Sequence, residues 1–419
     1  MSGVPRTLPG GGRSAPIAIR DCEFSALPEV LWVEQPHVGA RVLARWHGAP
    51  VAWLHFGPSP GGIWREDLVA ALITHHAAAF NATTFRELPP PMAAGVATPP
   101  TSVVVCTRNR TASLARCLVS LAALTYPAYE VVVVDNAPDN DDTEALVRSR
   151  AAEWPWLRYV REPRPGLNWA RNRGLEEARY NLVAYTDDDV RVDRLWLHGL
   201  TRGFRHVEVV LVTGLVAPAE LESDAQVVFE DWYGGMGKGL CPIRRDGREL
   251  PPPHRLGAHH LGVGANMAFR RDWLRQLNGF DTALDVGTPS HGGGDLDMFH
   301  RTLAAGRVTR YEPSAVVWHF HRRDFAALRR QLTDNGRAFG VYLLTRARYE
   351  PSRTALLRYA VGTWLRWLVM RVVRRFLRRE AMPLPLLASE CFGVLQAPFA
   401  WIATYRRDTR VRAGPTCRT

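Results

Sequence analysis

From Thr101 onward the chain repeats one pattern: a short apolar run, a polar cluster, then a stretch with helical spacing. Ser102–Thr107, Tyr129–Val134, Leu157–Val160 and Asn181–Thr186 are the apolar runs. Ala112–Ala123, Thr143–Glu153 and Trp169–Arg179 carry the helical spacing. Strands apolar on both sides of the pleat need both faces covered, and intervening helices supply the cover. The pattern therefore predicts an α/β fold, Rossmann-like, with a mostly parallel sheet covered by helices. Ligands of such sheets bind beyond the carboxyl ends of the strands. Polar chemistry follows each run here: Thr107-Arg108-Asn109-Arg110, Asp135-Asn136, Arg161-Glu162 and Asp187-Asp188-Asp189.

Three consecutive carboxylates repel one another and raise one another's pKa. A divalent cation removes that penalty, and oxygen ligands suit Mg²⁺ or Mn²⁺. Alternate residues of an extended segment point the same way, so Asp187 and Asp189 can share an ion while Asp188 points elsewhere. A solvated acidic turn is the competing reading of the same three residues.

The segments SVVVCTRNR (102–110), VVVVDNAP (131–138), GLNWARNRGL (166–175) and YTDDDV (185–190) resemble the inverting family 2 glycosyltransferases, which have the GT-A fold. GANMAFRR (264–271), NGFD (278–281), GGGDLDMFHR (292–301) and VVWHFH (316–321) continue the likeness in the same order over about 220 residues. The resemblance implies transfer of a sugar from a nucleotide-diphospho-sugar, UDP- or dTDP-linked, to a hydroxyl on a lipid-linked glycan, polysaccharide or natural product. It places Thr107, Arg110, Asp135, Arg171, Asn172 and Asp188 on the donor, Asp135 accepting a hydrogen bond from the base. A turn or cap role for Asp135, and a surface helix face for Arg171 and Asn172, are the alternatives. Asp187, Asp189 and His319 would hold Mn²⁺ or Mg²⁺, with His321 a competitor for the His319 role. Asp295 would be the catalytic base, and Asn266 and Asp297 would lie on the acceptor side, Asp297 orienting Arg301 one helical turn later. The chain departs from the family where an Glu-Asp pair is usual: it has Gly294-Asp295. The Gly-rich run 287–294 reads as flexible, able to order on ligand binding, and Trp232–Gly239 reads as an aromatic-bearing surface loop.

Ahead of this domain, residues 1–18 read as a polar, Pro/Gly-rich leader with no apolar signal segment. Residues 19–87 read as a small α+β module: strands at Ala40–Trp46 and Pro50–Phe56, then a helix at Trp64–Phe80. Residues 88–100 form a Pro-rich linker, 101–345 the main domain, and 346–419 a helical C-terminal region. The six cysteines lack paired spacing, as expected for a reducing compartment without structural zinc.

Charge singles out that last region. Of the formal net +12, residues 346–419 hold 15 Arg against four acids, a net of +11. The body is balanced, so nucleic-acid binding is not expected. In Ala355–Arg379, Val369, Val372, Val373 and Phe376 fall on one helical side, and Arg371, Arg374, Arg375 and Arg378 on the other. That pattern predicts amphipathic helices on an anionic membrane surface, and a cytoplasmic enzyme peripheral on the inner face of the cell membrane. Pro383–Tyr405 is apolar but carries Pro385, Glu390, Gln396 and Pro398, which suits a surface-embedded rather than a spanning element. The competing functional readings are a catalytically inactive, membrane-tethered nucleotide-sugar-binding protein and a nucleotidyltransferase. The latter lacks support from any Gly-rich phosphate loop after the first strand.

Overall fold

The computed structural model describes residues 15–59, 61–74, 98–349, 353–366, 369–371, 373 and 383–413. The linker expected at 88–100 lies outside the described residues up to 97, as do most of the leader and the arginines at 374, 375 and 378. The leader ends earlier than expected, since Ile17 already forms a bridge with Leu221.

The N-terminal module is built from β1 (Ala18–Glu23), β2 (Val30–Leu31), β3 (Ala40–Trp46), β4 (Ala49–Phe56) and β5 (Ile63–Trp64). β3 lies between β1, parallel, and β4, antiparallel, while β2 and β5 form a ribbon. Helical residues 65–74 follow. β3 alternates strictly. Ala40, Val42 and Ala44 enter the module's own core, whereas Arg41, Leu43 and Arg45 are buried facing the rest of the molecule. Leu43, with Ile19 and Trp53, packs on Leu215, Val316 and Trp318 of the main sheet.

The predicted alternation forms β6 (Thr101–Thr107), β7 (Tyr129–Asn136), β8 (Leu157–Glu162) and β9 (Leu182–Asp187), joined by helices α1 (Thr111–Ala122), α2 (Asp142–Ala151) and α3 (Leu167–Glu177). These four strands are parallel throughout. Their side chains divide by parity: Val103, Val105, Val131 and Val133 face the core under α1, and Val104, Val132 and Val134 face the core under α3. The second half adds β10 (Val190–Val192), β11 (Val209–Pro218), β12 (Ile243–Asp246), β13 (Asn266–Arg270) and β14 (Val308–His319). The spatial order is β10-β14-β11-β13-β9-β6-β7-β8, with β12 also on β14. Here β11 and β14 are parallel, whereas β13 runs antiparallel between β9 and β11, and β10 and β12 antiparallel to β14. Helices α4 (Trp196–Gly203) and α5 (Gly294–Ala304) cover opposite faces.

Beyond the sheet, α6 (Phe325–Tyr349) and α7 (Leu384–Ala413) run parallel to each other. Paired contacts step along both: Arg329 with Ser389, Arg337 with Gln396, Thr345 with Tyr405. The prolines and polar residues of 383–405 do not interrupt α7, one helix of 30 residues with Pro398 inside. By length and composition it could cross a membrane. Its buried face is mixed, with Leu386, Leu387, Ala397 and Ala400 among the residues packed on the protein. Ser389, Glu390, Thr404 and Asp408 are buried against the protein. Phe392, Leu395, Phe399 and Ile402, at 57%, 73%, 78% and 44% exposure, form a stripe facing outward. A second correction concerns the preceding helical segment: Arg371, expected on the outer polar face, is buried, donating to the Trp232 carbonyl (3.0 Å) and lying over the Tyr233 ring. Val369, Met370 and Val373 are exposed there.

Candidate active site

Register brings the polar strand ends together. Thr107 pairs with Asp135 across β6 and β7, and Cys106 with Asp187 across β6 and β9. Val190 pairs with His319, which sets Asp189 beside that imidazole. Around these ends lies a cavity of about 740 Å³ whose walls include Thr107, Arg110, Asp187, Asp189 and His319. Arg322 and Arg330 also line it, two cations that sequence reasoning did not single out.

Within it, Arg110 donates to Asp188 Oδ1 (2.7 Å) and Asp189 Oδ2 (2.9 Å), and the Thr107 hydroxyl donates to Asp188 Oδ2 (2.7 Å). Asp188, which also lines the cavity, thus ties Thr107 and Arg110 together. Burial, then repulsion from Asp189, pushes Asp187 up to about 7; burial pushes Asp188 up to about 6. Burial acts the same way on Asp189, but His319 and Arg110 outweigh it and hold this carboxyl below its ordinary value. His319 Nε2 lies 3.4 Å from Asp189 Oδ1, and burial pushes the imidazole down to about 4, so it is uncharged near neutrality.

Two carboxylates and a neutral imidazole are a donor set that fits Mg²⁺ or Mn²⁺. Among the described residues, however, no three His, Cys, Asp or Glu side chains are grouped so as to hold one ion. The fit rests on Asp189 with His319, with Asp187 adjoining.

Asp135 is fully buried. Its Oδ2 accepts from the Tyr159 hydroxyl (3.0 Å), while its Oδ1 is buried without a partner, and burial raises its pKa. A buried, unpartnered carboxylate oxygen is costly unless a ligand satisfies it.

On the base side, Asp295 stands in the first turn of α5, accepting from Gly264 N and Leu296 N, both at 2.8 Å. Burial, then the nearby Asp285, raises its pKa. Asp285 is the residue that sequence reasoning missed. It is buried, has φ +88°, a backbone region L side chains rarely adopt, and pairs with Arg171 at 2.6 Å. A Cβ at Gly294 would overlap this same Asp285 carboxylate and the Asn168 amide. The space a side chain at 294 would need is filled by a carboxylate from nine residues earlier, and only glycine leaves room for it. Lys238, the chain's single lysine, also lies in the field of Asp295.

Other expected contacts lie elsewhere. Arg171 is buried on Asp285 and Asn168 rather than lying on a surface face; its charge acts on Asp187 and Asp295 alike. Asn172 spends its amide on the Phe280 backbone, closing the turn at 278–281. Asn266 donates both amide hydrogens to Leu215 and Ala315 carbonyls and accepts from Trp196, fastening β13 within the sheet. Asp297 pairs with Arg301, as expected, and also with Arg346 (2.6 Å) of α6. The loop before α5 is not loose: Thr288 and Ser290 stitch it back to Asp285, and Val286, Gly287 and His291 wall the cavity.

The family model for glycosyl transferase family 2 matches residues 102–277. The pre-mycofactocin glycosyltransferase of Mycobacterium tuberculosis (strain ATCC 25618 / H37Rv) is 26% identical over 336 residues, covering 78% of this chain and 64% of that protein. This chain therefore spans less than two thirds of that relative's length. Glycosyltransferase AglE of Haloferax volcanii is 30% identical over 251 residues, 58% of this chain and 75% of AglE. Among solved structures, the mannosyltransferase PcManGT from Pyrobaculum calidifontis in complex with GDP-Man and Mn²⁺ is similar over 83% of this chain and 86% of that one, with a TM-score of 0.46 and 19% identity. The α/β architecture is that expected of the GT-A fold. With this match inside the strand–helix repeat and AglE aligned over three quarters of its length, the chain belongs to glycosyl transferase family 2.

Proposed function

We propose that this chain is an inverting glycosyltransferase that moves a sugar from a UDP- or dTDP-linked donor to an acceptor hydroxyl at a membrane surface. The observation that carries the reading is the convergence of Asp187, Asp189 and His319 with the guanidinium groups of Arg110, Arg322 and Arg330 on one cavity at the strand ends.

Asp135 receives the base: its free Oδ1 suits the ring N–H that uracil and thymine both present. Arg322 and Arg330 face the diphosphate, with Arg110 exchanging its carboxylate partners for phosphate oxygens. Asp189 and His319, with Asp187, hold the divalent cation. When bound, that cation supplies Lewis-acid stabilisation of the charge that grows on the departing diphosphate. Asp295 takes the acceptor hydroxyl's proton while that oxygen attacks the anomeric carbon; the bond to the diphosphate oxygen breaks and its electron pair leaves with the diphosphate. The raised pKa of Asp295 makes it a stronger base than an ordinary aspartate, and Asp285 supplies the neighbouring negative charge that Gly294 lacks.

The outward apolar stripe of α7, together with its arginines, supports an anionic bilayer as the surface on which the enzyme sits. The outward Phe392, Leu395, Phe399 and Ile402 would enter the acyl boundary, and the exposed Arg358, Arg366, Arg406 and Arg410 would meet lipid phosphates. Such a placement would suit a lipid-linked acceptor and an enzyme peripheral on the cytoplasmic face.

Asp295→Asn tests the chemistry. Transfer should fall at least about 100-fold, while thermal stabilisation by donor with Mn²⁺ is kept. Retained transfer refutes the base, and loss of donor stabilisation as well would point to a damaged fold instead.

A further inference from the structure

The amino ends of the central strands hold a second cavity, remote from the one at their carboxyl ends. Register sets Thr101 beside Leu182, and Leu182 beside Arg270, so β6 and β9 begin where the antiparallel β13 ends. The 7 residues of β6 from Thr101 to Thr107 hold the two cavities about 20 Å apart at the usual strand rise. The second cavity has a volume of about 700 Å³, within the range of small-molecule sites. Arg179, Arg205, Arg270 and Arg271 line it, and among the described residues no carboxylate does.

Two of these arginines have a structural task. Arg270 donates to the carbonyls of Val209 (2.9 Å), Phe204 (3.1 Å) and His206 (3.4 Å), and Arg271 to that of Ala178 (2.5 Å). They thereby cap the carboxyl ends of α4 and α3. Capping does not neutralise the cavity. A helix end carries roughly half a negative charge, so two ends offset about one of the four positive charges. Carboxylates offset little more. Arg179 lies 3.6 Å from Glu130 Oε2, but that oxygen already pairs with Arg158 at 2.8 Å. Among the described residues, Arg205, Arg270 and Arg271 form no ion pair. Burial lowers the pKa of Arg270, and the field of Glu208 opposes this only in part. Arg271 Nε is buried without a partner.

We propose that this cavity binds a small molecule bearing phosphate groups, at a site separate from that of the transfer reaction. Guanidinium forks meet phosphate oxygens in pairs, and a terminal phosphate brings about 1.5–2 negative charges where a carboxylate brings one. Two phosphates match the excess that remains once the helix ends are counted. The buried Phe204 ring, under the Arg270 guanidinium at 5.4 Å, and Tyr180 offer an apolar wall to the rest of the ligand. The site needs neither the cation nor the base of the transfer reaction, so it stands whether or not those assignments do.

Inorganic diphosphate is the probe, titrated calorimetrically into the full chain at physiological salt with EDTA present. Diphosphate also suits Arg322 and Arg330 of the first cavity, so paired changes separate the two. Arg179→Ser with Arg205→Ser removes the two exposed cations and should weaken diphosphate binding at this site at least about tenfold. Arg322→Ser with Arg330→Ser should leave one diphosphate site of unchanged affinity. If the first pair lowers the ligand-free melting midpoint enough to unfold the chain, Arg205→Ser alone replaces it, with a smaller loss expected. Malonate, with one charge on each carboxylate, should bind more weakly than diphosphate; equal binding overturns the phosphate assignment. The inference is also overturned if the unaltered chain binds no diphosphate, or if the folded Arg179/Arg205 variant binds it as before. Loss of all binding in the Arg322/Arg330 variant overturns it too, by assigning the diphosphate to the first cavity alone.

Discussion

Asp187 and His319 carry opposite consequences of the same burial. The carboxyl is pushed up to about 7 and the imidazole down to about 4. Near neutrality the imidazole holds no proton that a cation must displace, whereas Asp187 still does. Apparent Mn²⁺ affinity should therefore climb as pH rises from about 5.5 to 7.5 and then level off, by up to about tenfold per unit for each proton released. Titration calorimetry in buffers of different ionisation enthalpy would read both the affinity and the protons, and Asp187→Asn should flatten the slope. Gly294 makes a second residue-scale prediction. The family's usual Glu restored there collides with Asp285, so Gly294→Glu should lower transfer and the melting temperature, whereas Gly294→Glu with Asp285→Gly should regain part of both. A gain from Gly294→Glu alone would mean that Asp285 does not occupy that space in solution. The polar residues at strand ends were legible because the sheet rule says where to look. Asp285 was not, because neither its unusual φ nor its pairing with Arg171, 114 residues away, leaves a local mark.

Among the elements, the strand–helix repeat from 101 to 187 could be read almost residue by residue, since Val-rich runs buried on both faces have few other uses. The later half was harder. β13 and β10 run antiparallel to their neighbours, and their order depends on long-range pairing that no short window contains. In the C-terminal helix, Pro and polar residues read as interruptions in the sequence, yet one helix carries them all. In the structure Glu390 and Gln396 turn inward to partners on neighbouring helices, and α7 continues through Pro398. The same pair of helices is sharply sensitive to added volume. A Cβ at Gly336 would overlap the Glu390 backbone, and one at Gly393 the Thr333 backbone, so the helices approach at backbone distance. Gly393→Val should cost about 1–3 kcal/mol or more, seen as a lower thermal midpoint. Gly362→Val, where nothing lies within 4 Å of the added Cβ, is the control with the same substituent; equal effects would argue against close packing.

At the scale of the whole chain, the Arg excess and the outward apolar stripe of α7 both fall within residues 346–419. Anionic vesicles should sediment the chain at physiological salt, and neutral vesicles much less, because each basic residue near the surface adds about 1 kcal/mol. Leu395→Glu with Phe399→Glu should release it from anionic vesicles yet leave transfer to a water-soluble acceptor intact. Vesicle binding that survives the double change would assign attachment to charge alone.

The wide spacing of the site along the chain also bears on biosynthesis. Arg110, Asp188 and Asp189 emerge from the ribosome well before His319, which follows about 130 residues after Asp189. At the usual pace of translation that interval is roughly 6–26 s. During it the nascent acids already have their guanidinium partner within the first four strands, but not their imidazole, nor the strand that aligns it. Arg110, paired with Asp188 and Asp189, would then shield that acid cluster before the last strand of the sheet arrives.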